Sequence, residues 1–158
     1  MKANVTWQNN MVFVGKSASG FPVQMDADSS FGGTNSGVRP MEMIALGLAG
    51  CTAMDVISIL QKKRQQVTQF EVRVDAPCSP DYPQVFTKAV ITYIVSGRKV
   101  DETAVLRSIE LAATKYCPAQ IMLLQAFPMD LQYEIYEEEV DGNKRLIHQG
   151  VWQNIPLE

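Results

Sequence analysis

The chain has 158 residues, of which 46% are hydrophobic and 20% charged, and a formal net charge of −3. That length suits one domain, residues 1–158, with a core that needs no staples. A mildly acidic chain without a basic block argues against nucleic acid or an anionic membrane as partner. The single histidine, His148, speaks against a His-rich metal site and a Ser-His-Asp triad. Three cysteines, at 51, 78 and 117, make neither a disulfide framework nor a CxxC zinc clamp, so no metal and no cofactor is expected. The opening MKANVTWQNN lacks an apolar secretory core, and the longest mainly apolar run, Met43 to Met54, is short for a bilayer span. The expectation is a cytoplasmic protein with reduced thiols.

The first forty residues read as a β meander. Val5–Trp7 and Met11–Val14 flank a Gln8-Asn9-Asn10 turn, and Ser19-Gly20 leads into Phe21–Met25. Residues 26 to 40, rich in Ser, Asp, Gly and Pro, read as an internal loop. Pro40 suits a helix start, and the stretch from Met41 to about Arg64 has no further proline. Apolar side chains at 43, 44, 46, 48, 51, 54, 56, 57, 59 and 60 cover nearly the whole circumference, so most of this helix should be buried. Gly47 and Gly50 inside it each cost about 1 kcal/mol relative to Ala, tolerable where another backbone passes close. One small domain seldom surrounds a two-sided apolar helix, which points to a second copy of the chain.

Phe70, Val72 and Val74 alternate with Glu71, Arg73 and Asp75 as a half-exposed strand. After the loop APCSPDYP, Val85 to Val95 reads as a strand with Val85, Ala89, Ile91, Tyr93 and Val95 on one face. Asp101 caps a second helix with apolar positions 105, 106, 109, 112, 113 and 116. Tyr116-Cys117-Pro118 breaks it and starts a short third helix through Leu124. Met129–Val140 reads as a strand, and Asp141-Gly142 as a turn toward a last strand, Arg145–Gln153. The fold class is α+β with mostly antiparallel sheet.

Cysteine is the only side chain here with an obvious reactive role. Cys117, just before Pro118 at a helix start, reads either as a thiol made acidic by backbone N–H donors or as a buried small hydrophobe. Lys115 is a further candidate for lowering its pKa. Cys51 lies mid-helix without dipole help, and Asp55 one turn later favours the protonated thiol, so its own surroundings read as structural. Cys78, between prolines, reads as a bystander. No phosphate loop, dinucleotide motif or HExxH is present.

Gly37-Val38-Arg39-Pro40-Met41-Glu42, the Ala/Gly-rich helix reaching Cys51-Thr52, and Tyr116-Cys117-Pro118 sixty-six residues on together resemble the OsmC/Ohr family (osmotically inducible protein C and organic hydroperoxide resistance protein). The resemblance covers nearly the whole chain and implies a single OsmC-like domain, with sheets wrapped around central helices in an intertwined homodimer. It implies reduction of organic hydroperoxides in oxidative stress defence. Cys51 would become a sulfenic acid, Cys117 would close a disulfide with it, and a dithiol reductant, of lipoyl type in the Ohr branch, would restore both. In that branch an arginine and a glutamate organise the reactive thiol. Here Met41 takes the glutamate's place and Glu42 follows it. Glu42 precedes Cys51 by nine residues, about 13.5 Å along a helix, so it would have to reach Cys51 from a partner chain. The arginine's region offers only Lys16, a point charge that cannot form the same clamp, and Arg39 is the other candidate. These departures resemble an OsmC-like branch rather than Ohr itself. They also leave open a non-enzymatic dimer that binds a small molecule or senses redox state at an apolar, cysteine-lined interface pocket.

Overall fold

A computed structural model describes residues 1–152 as two compact units, one from Met1 to Ile44 and one from Ala45 onward. In the first, β1 (Ala3–Asn9), β2 (Val12–Ser17) and β3 (Pro22–Met25) form the expected antiparallel meander. Asn10, at φ 45°, turns the first hairpin, where the Trp7 indole N–H donates to its carbonyl at 2.9 Å. All seven residues of β1 are exposed, with Val5 at 57% and Trp7 at 61%, whereas Val12 to Gly15 of β2 are half-buried.

The loop after β3 is folded around one carboxylate. Asp26, 3% exposed, accepts from the backbone N–H groups of Ala27, Thr34 and Ser36 and from the Thr34 and Ser36 hydroxyls. These donors, Thr34 foremost, hold its pKa far below the usual carboxylate range. Helix α1 (Pro40–Lys62) starts with proline at its first position, and Glu42 accepts from the Arg39 backbone N–H at 2.9 Å, half of a capping box.

In the second unit the sheet order is β4 (Gln66–Asp75), β5 (Ala89–Arg98), β6 (Met129–Glu138), β7 (Lys144–Trp152). The outer pairs are antiparallel, but β5 and β6 run parallel. A parallel pair needs a long crossover, supplied here by α2 (Glu102–Leu111) and α3 (Pro118–Leu123). Asp101 caps α2 as expected, accepting from Thr103 and Ala104 N–H. The β6–β7 turn uses Gly142 at φ 84°, where a side chain would be strained. Gln153, the end of the last expected strand, lies outside the described residues.

Two local expectations fail for identifiable reasons. Val85 is not in β5: its carbonyl accepts from Ser79 N–H inside the proline-rich loop, and the strand starts at Ala89. The second helix does not run regularly to residue 116. Residues Ala112–Tyr116 form a π turn, closed by Cys117 N–H donating to the Ala112 carbonyl at 2.9 Å.

The core joins Leu48, Val56 and Leu60 of α1 to Ile91, Tyr93 and Val95 of β5, Val105 and Ile109 of α2, and Leu131 and Ile135 of β6. Only Leu48, Thr52, Val56 and Leu60 of α1 are buried, a stripe with a four-residue period. Ile44 (43%), Leu46 (57%) and Met54 (74%) are exposed, so the helix is covered on one side, not all round. Added Cβ atoms at Gly47 and Gly50 would meet nothing within 4 Å, so no backbone among the described residues uses those glycines for close approach. With 23 residues and a mean hydropathy of 1.9 over its most apolar stretch, α1 is long and apolar enough to cross a membrane by length and composition, unlike the shorter Met43–Met54 run.

Candidate thiol site

The π turn gives the candidate site its shape. Its extra residue displaces the chain just before Pro118, and the proline forces Cys117 into an extended conformation (φ −78°, ψ 102°) instead of a continuing helix. Cys117 thereby becomes the cap of α3, and its Sγ accepts from Gln120 N–H at 3.4 Å.

The Cys117 side chain is fully buried and meets α1. Cys51 Sγ, Cys117 Sγ and an Asp55 carboxylate oxygen all lie within 4.8 Å of one another. Cys51 and Asp55 are half-buried, one helical turn apart. Between them in sequence, Thr52 is fully buried and shares a 2.7 Å hydrogen bond with the Tyr93 hydroxyl of β5.

The electrostatics favour one of the two readings that the sequence left open for Cys117. Burial, then contact with Cys51, and finally the Asp55 charge push the Cys117 thiol up to about 12, against the single Gln120 N–H that favours the thiolate. One donor on a six-residue helix does not offset loss of water, so Cys117 is not an acidic thiol. Lys115 does not help: its Nζ sits over the Tyr116 ring, 5.4 Å from the centroid. The Tyr93 hydroxyl is likewise pushed above its ordinary range, mainly by burial.

Of the other sequence candidates, only Asp55 joins the cysteines. Arg39 reaches Asp28 (3.1 Å), Asn35 (2.8 Å) and Glu42 (3.4 Å), so Arg39 and Glu42 serve each other and the loop within the first unit. Lys16 is exposed on β2, and Cys78 is exposed in the loop before β5.

Three partners escaped sequence reading: Thr52, Tyr93 and Gln120. Gln120 is 2% exposed, and its Oε1 is buried without a hydrogen-bond partner among the described residues. Glutamine at the third position of a helix can return a bond to the cap N–H, but here the Cys117 N–H goes to the Ala112 carbonyl instead. Tyr93 looked like one more residue of an apolar strand face, and only its polar tip distinguished it.

The sequence profile of the OsmC-like protein family matches residues 33–132, which contain both cysteines. The chain belongs to the OsmC-like family. It is 38% identical over 135 residues to Protein YhfA of Escherichia coli K12, an alignment covering 85% of this chain and 98% of the relative. An OsmC-like protein from Mycoplasma pneumoniae superposes with a TM-score of 0.72 at 15% identity, covering 85% of this chain and 95% of that one. An organic hydroperoxide resistance protein from Elizabethkingia anophelis gives 0.61 at 16% identity, over 84% and 92%. At those identities the two structures establish the OsmC fold alone. The α+β class expected from sequence is the class observed.

Proposed function

We propose that this OsmC-like protein is a cysteine-based hydroperoxide reductase acting on organic hydroperoxides in oxidative stress defence. The observation that carries the reading is the pair of sulfurs, one half-buried and one fully buried, within 4.8 Å across two elements 66 residues apart. Family membership supports a peroxide-related stress role, and the Elizabethkingia relative is named for organic hydroperoxide resistance.

The residues divide the work by exposure. Cys51 is the sulfur an oxidant reaches; as thiolate it attacks the O–O bond, which breaks to release an alcohol and leave a sulfenic acid. Cys117, kept as a thiol by burial, then attacks that sulfur, losing its proton as water departs and the disulfide forms. The balance is protein dithiol plus ROOH to protein disulfide, ROH and water. A dithiol reductant, with the lipoyl type as first candidate, restores both thiols by exchange.

The active form we propose is a single OsmC-like domain completed by a second copy, in the cytoplasm. The uncovered Ile44, Leu46 and Met54 and the open space over Gly47 and Gly50 support such a homodimer. A second reading, non-enzymatic binding of a small molecule, draws on a cavity of about 500 Å³ in the first unit, lined by Val5, Met11, Phe13, Met25 and Phe31 with Arg39 at its wall; its described lining holds no cysteine, so it is not the cysteine-lined interface pocket expected from sequence.

Stopped-flow oxidation of the reduced protein by cumene hydroperoxide and by hydrogen peroxide decides between them. Fast thiol loss with a preference for the organic oxidant is expected. Reaction no faster than a free thiol's would leave small-molecule binding as the function.

A further inference from the structure

The thiol site also has the donor set of a soft-metal centre. We propose that the reduced protein binds one zinc ion per chain through Cys51, Cys117 and Asp55, with one coordination position left open. Neither the proposed peroxide chemistry nor the cysteine spacing calls for this, since the third ligand comes from a segment 66 residues away and no clamp motif exists.

The geometry is close to what such an ion demands. Tetrahedral zinc with Zn–S of about 2.3 Å places two thiolates about 3.8 Å apart, with a carboxylate oxygen at a similar separation. The three donor atoms here already lie within 4.8 Å of one another, at most about 1 Å beyond that spacing. Cys51 and Asp55, at i and i+4, grip an ion from one face of α1, as paired helical ligands do in other zinc sites. Cys117 is held by the π turn and by Pro118 and needs no ordering.

Binding releases two thiol protons to the buffer, and the two thiolates and the carboxylate outweigh the divalent charge by one. Oxygen-preferring ions such as magnesium are disfavoured by two sulfur ligands, whereas zinc accepts them. The half-buried Cys51 and Asp55 leave an entry path from solvent. Gln120, whose N–H bonds Cys117 Sγ, carries a buried Oε1 without a hydrogen-bond partner among the described residues, so the neighbourhood holds an oxygen acceptor that they leave unsatisfied.

The test is titration of the reduced full chain with zinc against a chromophoric chelator, and with cobalt, followed by the thiolate-to-cobalt absorption band. One equivalent is expected to bind and to block two thiols against a disulfide reagent. Cys51→Ser and Cys117→Ser should each lose the cobalt band. Asp55→Asn should weaken zinc at least about 10-fold, the low end of what loss of even an outer partner costs a metal site. Cys78→Ser should bind like wild type. Absence of binding to the wild type, or binding unchanged in both Cys51→Ser and Asp55→Asn, overturns the site; Asp55→Asn keeps the test valid if a cysteine variant fails to fold. Hydroperoxide consumption by the zinc-free protein is measured separately. Loss of that activity with zinc binding intact would remove the peroxidase reading and leave this one.

Discussion

Two regions of this molecule concentrate polar groups, and they treat them in opposite ways. Around Asp26, five donors converge on one buried carboxylate, and Arg39 is shared among Asp28, Asn35 and Glu42. Around Cys117, a buried sulfur has a single backbone donor among the described residues, and the neighbouring Gln120 oxygen has none there. Buried polar groups are normally satisfied, so the first arrangement is that of a scaffold. The second leaves sulfur and oxygen underserved, as sites kept for reaction or ligand do. A cluster of charged side chains with complete partners is therefore weaker evidence of function than two thiols with almost none.

The largest expected effect breaks the contrast at its reactive end. Cys51→Ser should slow oxidation by an organic hydroperoxide at least about 100-fold, the low end of what a positioned catalytic group contributes. Cys117→Ser should still oxidise but accumulate a sulfenic acid trapped by dimedone, with no intramolecular disulfide. The reverse pattern would exchange the roles of the two cysteines.

Titration sharpens the contrast next. The Cys117 pKa is raised from 9.0 to about 12, so its proton stays on in the folded chain while the unfolded thiol ionises. The stability this represents is fully present below about pH 9 and is lost as pH rises toward 12, by at most about 1.4 kcal/mol per pH unit. Denaturation midpoints across pH 8 to 11 should fall less steeply in Cys117→Ser than in wild type; parallel curves would mean that the thiol ionises normally. Asp26 carries the opposite sign. Its depressed pKa gives stability present above its unfolded value of about 3.8 and lost as pH falls below it, so Asp26→Asn should flatten the acid limb instead.

Tyr93→Phe probes the packing beneath the thiols. It strands the fully buried Thr52 hydroxyl without its 2.7 Å partner, a loss of about 1–3 kcal/mol by denaturant titration. A change well under that range would show that Thr52 finds another acceptor within its helix.

Legibility from sequence followed the same divide between local and assembled features. Strand alternation in β4, the Asp101 cap, Pro40 and Pro118 as helix starts, and the Asp141-Gly142 turn are local rules, and the structure obeys them. The parallel β5–β6 pairing was not readable, because strand direction is decided by the crossover and not by either strand's residues. Of the two readings left open for Cys117, the acidic one fails because a cap position is local, whereas the burial that outweighs it, together with Cys51 and Asp55 of α1, belongs to the assembled fold. The π turn had no sequence signal, since residues 112–116 continue the apolar stripe of α2. Asp55 was read as a neighbour of Cys51 on one helix face and the family resemblance paired Cys117 with Cys51; what the fold adds is that all three donor atoms lie within 4.8 Å of one another.

The smallest expected effect tests whether the satisfied cluster is only scaffold. Arg39 is 43% exposed in its side chain and paired with Asp28 and Glu42, so Arg39→Ala should cost about 1 kcal/mol or less, as surface ion pairs do. Its three partners already engage the guanidinium, which favours a change in stability alone, with the hydroperoxide oxidation rate of Cys51 unaltered. Measured side by side, denaturation and stopped-flow oxidation of this variant separate the two roles. A tenfold slower oxidation at near-wild-type stability would mean that the guanidinium organises the thiol as well as the loop. In that case the division drawn between the two regions would not hold, and Arg39 would have to be counted with Cys51.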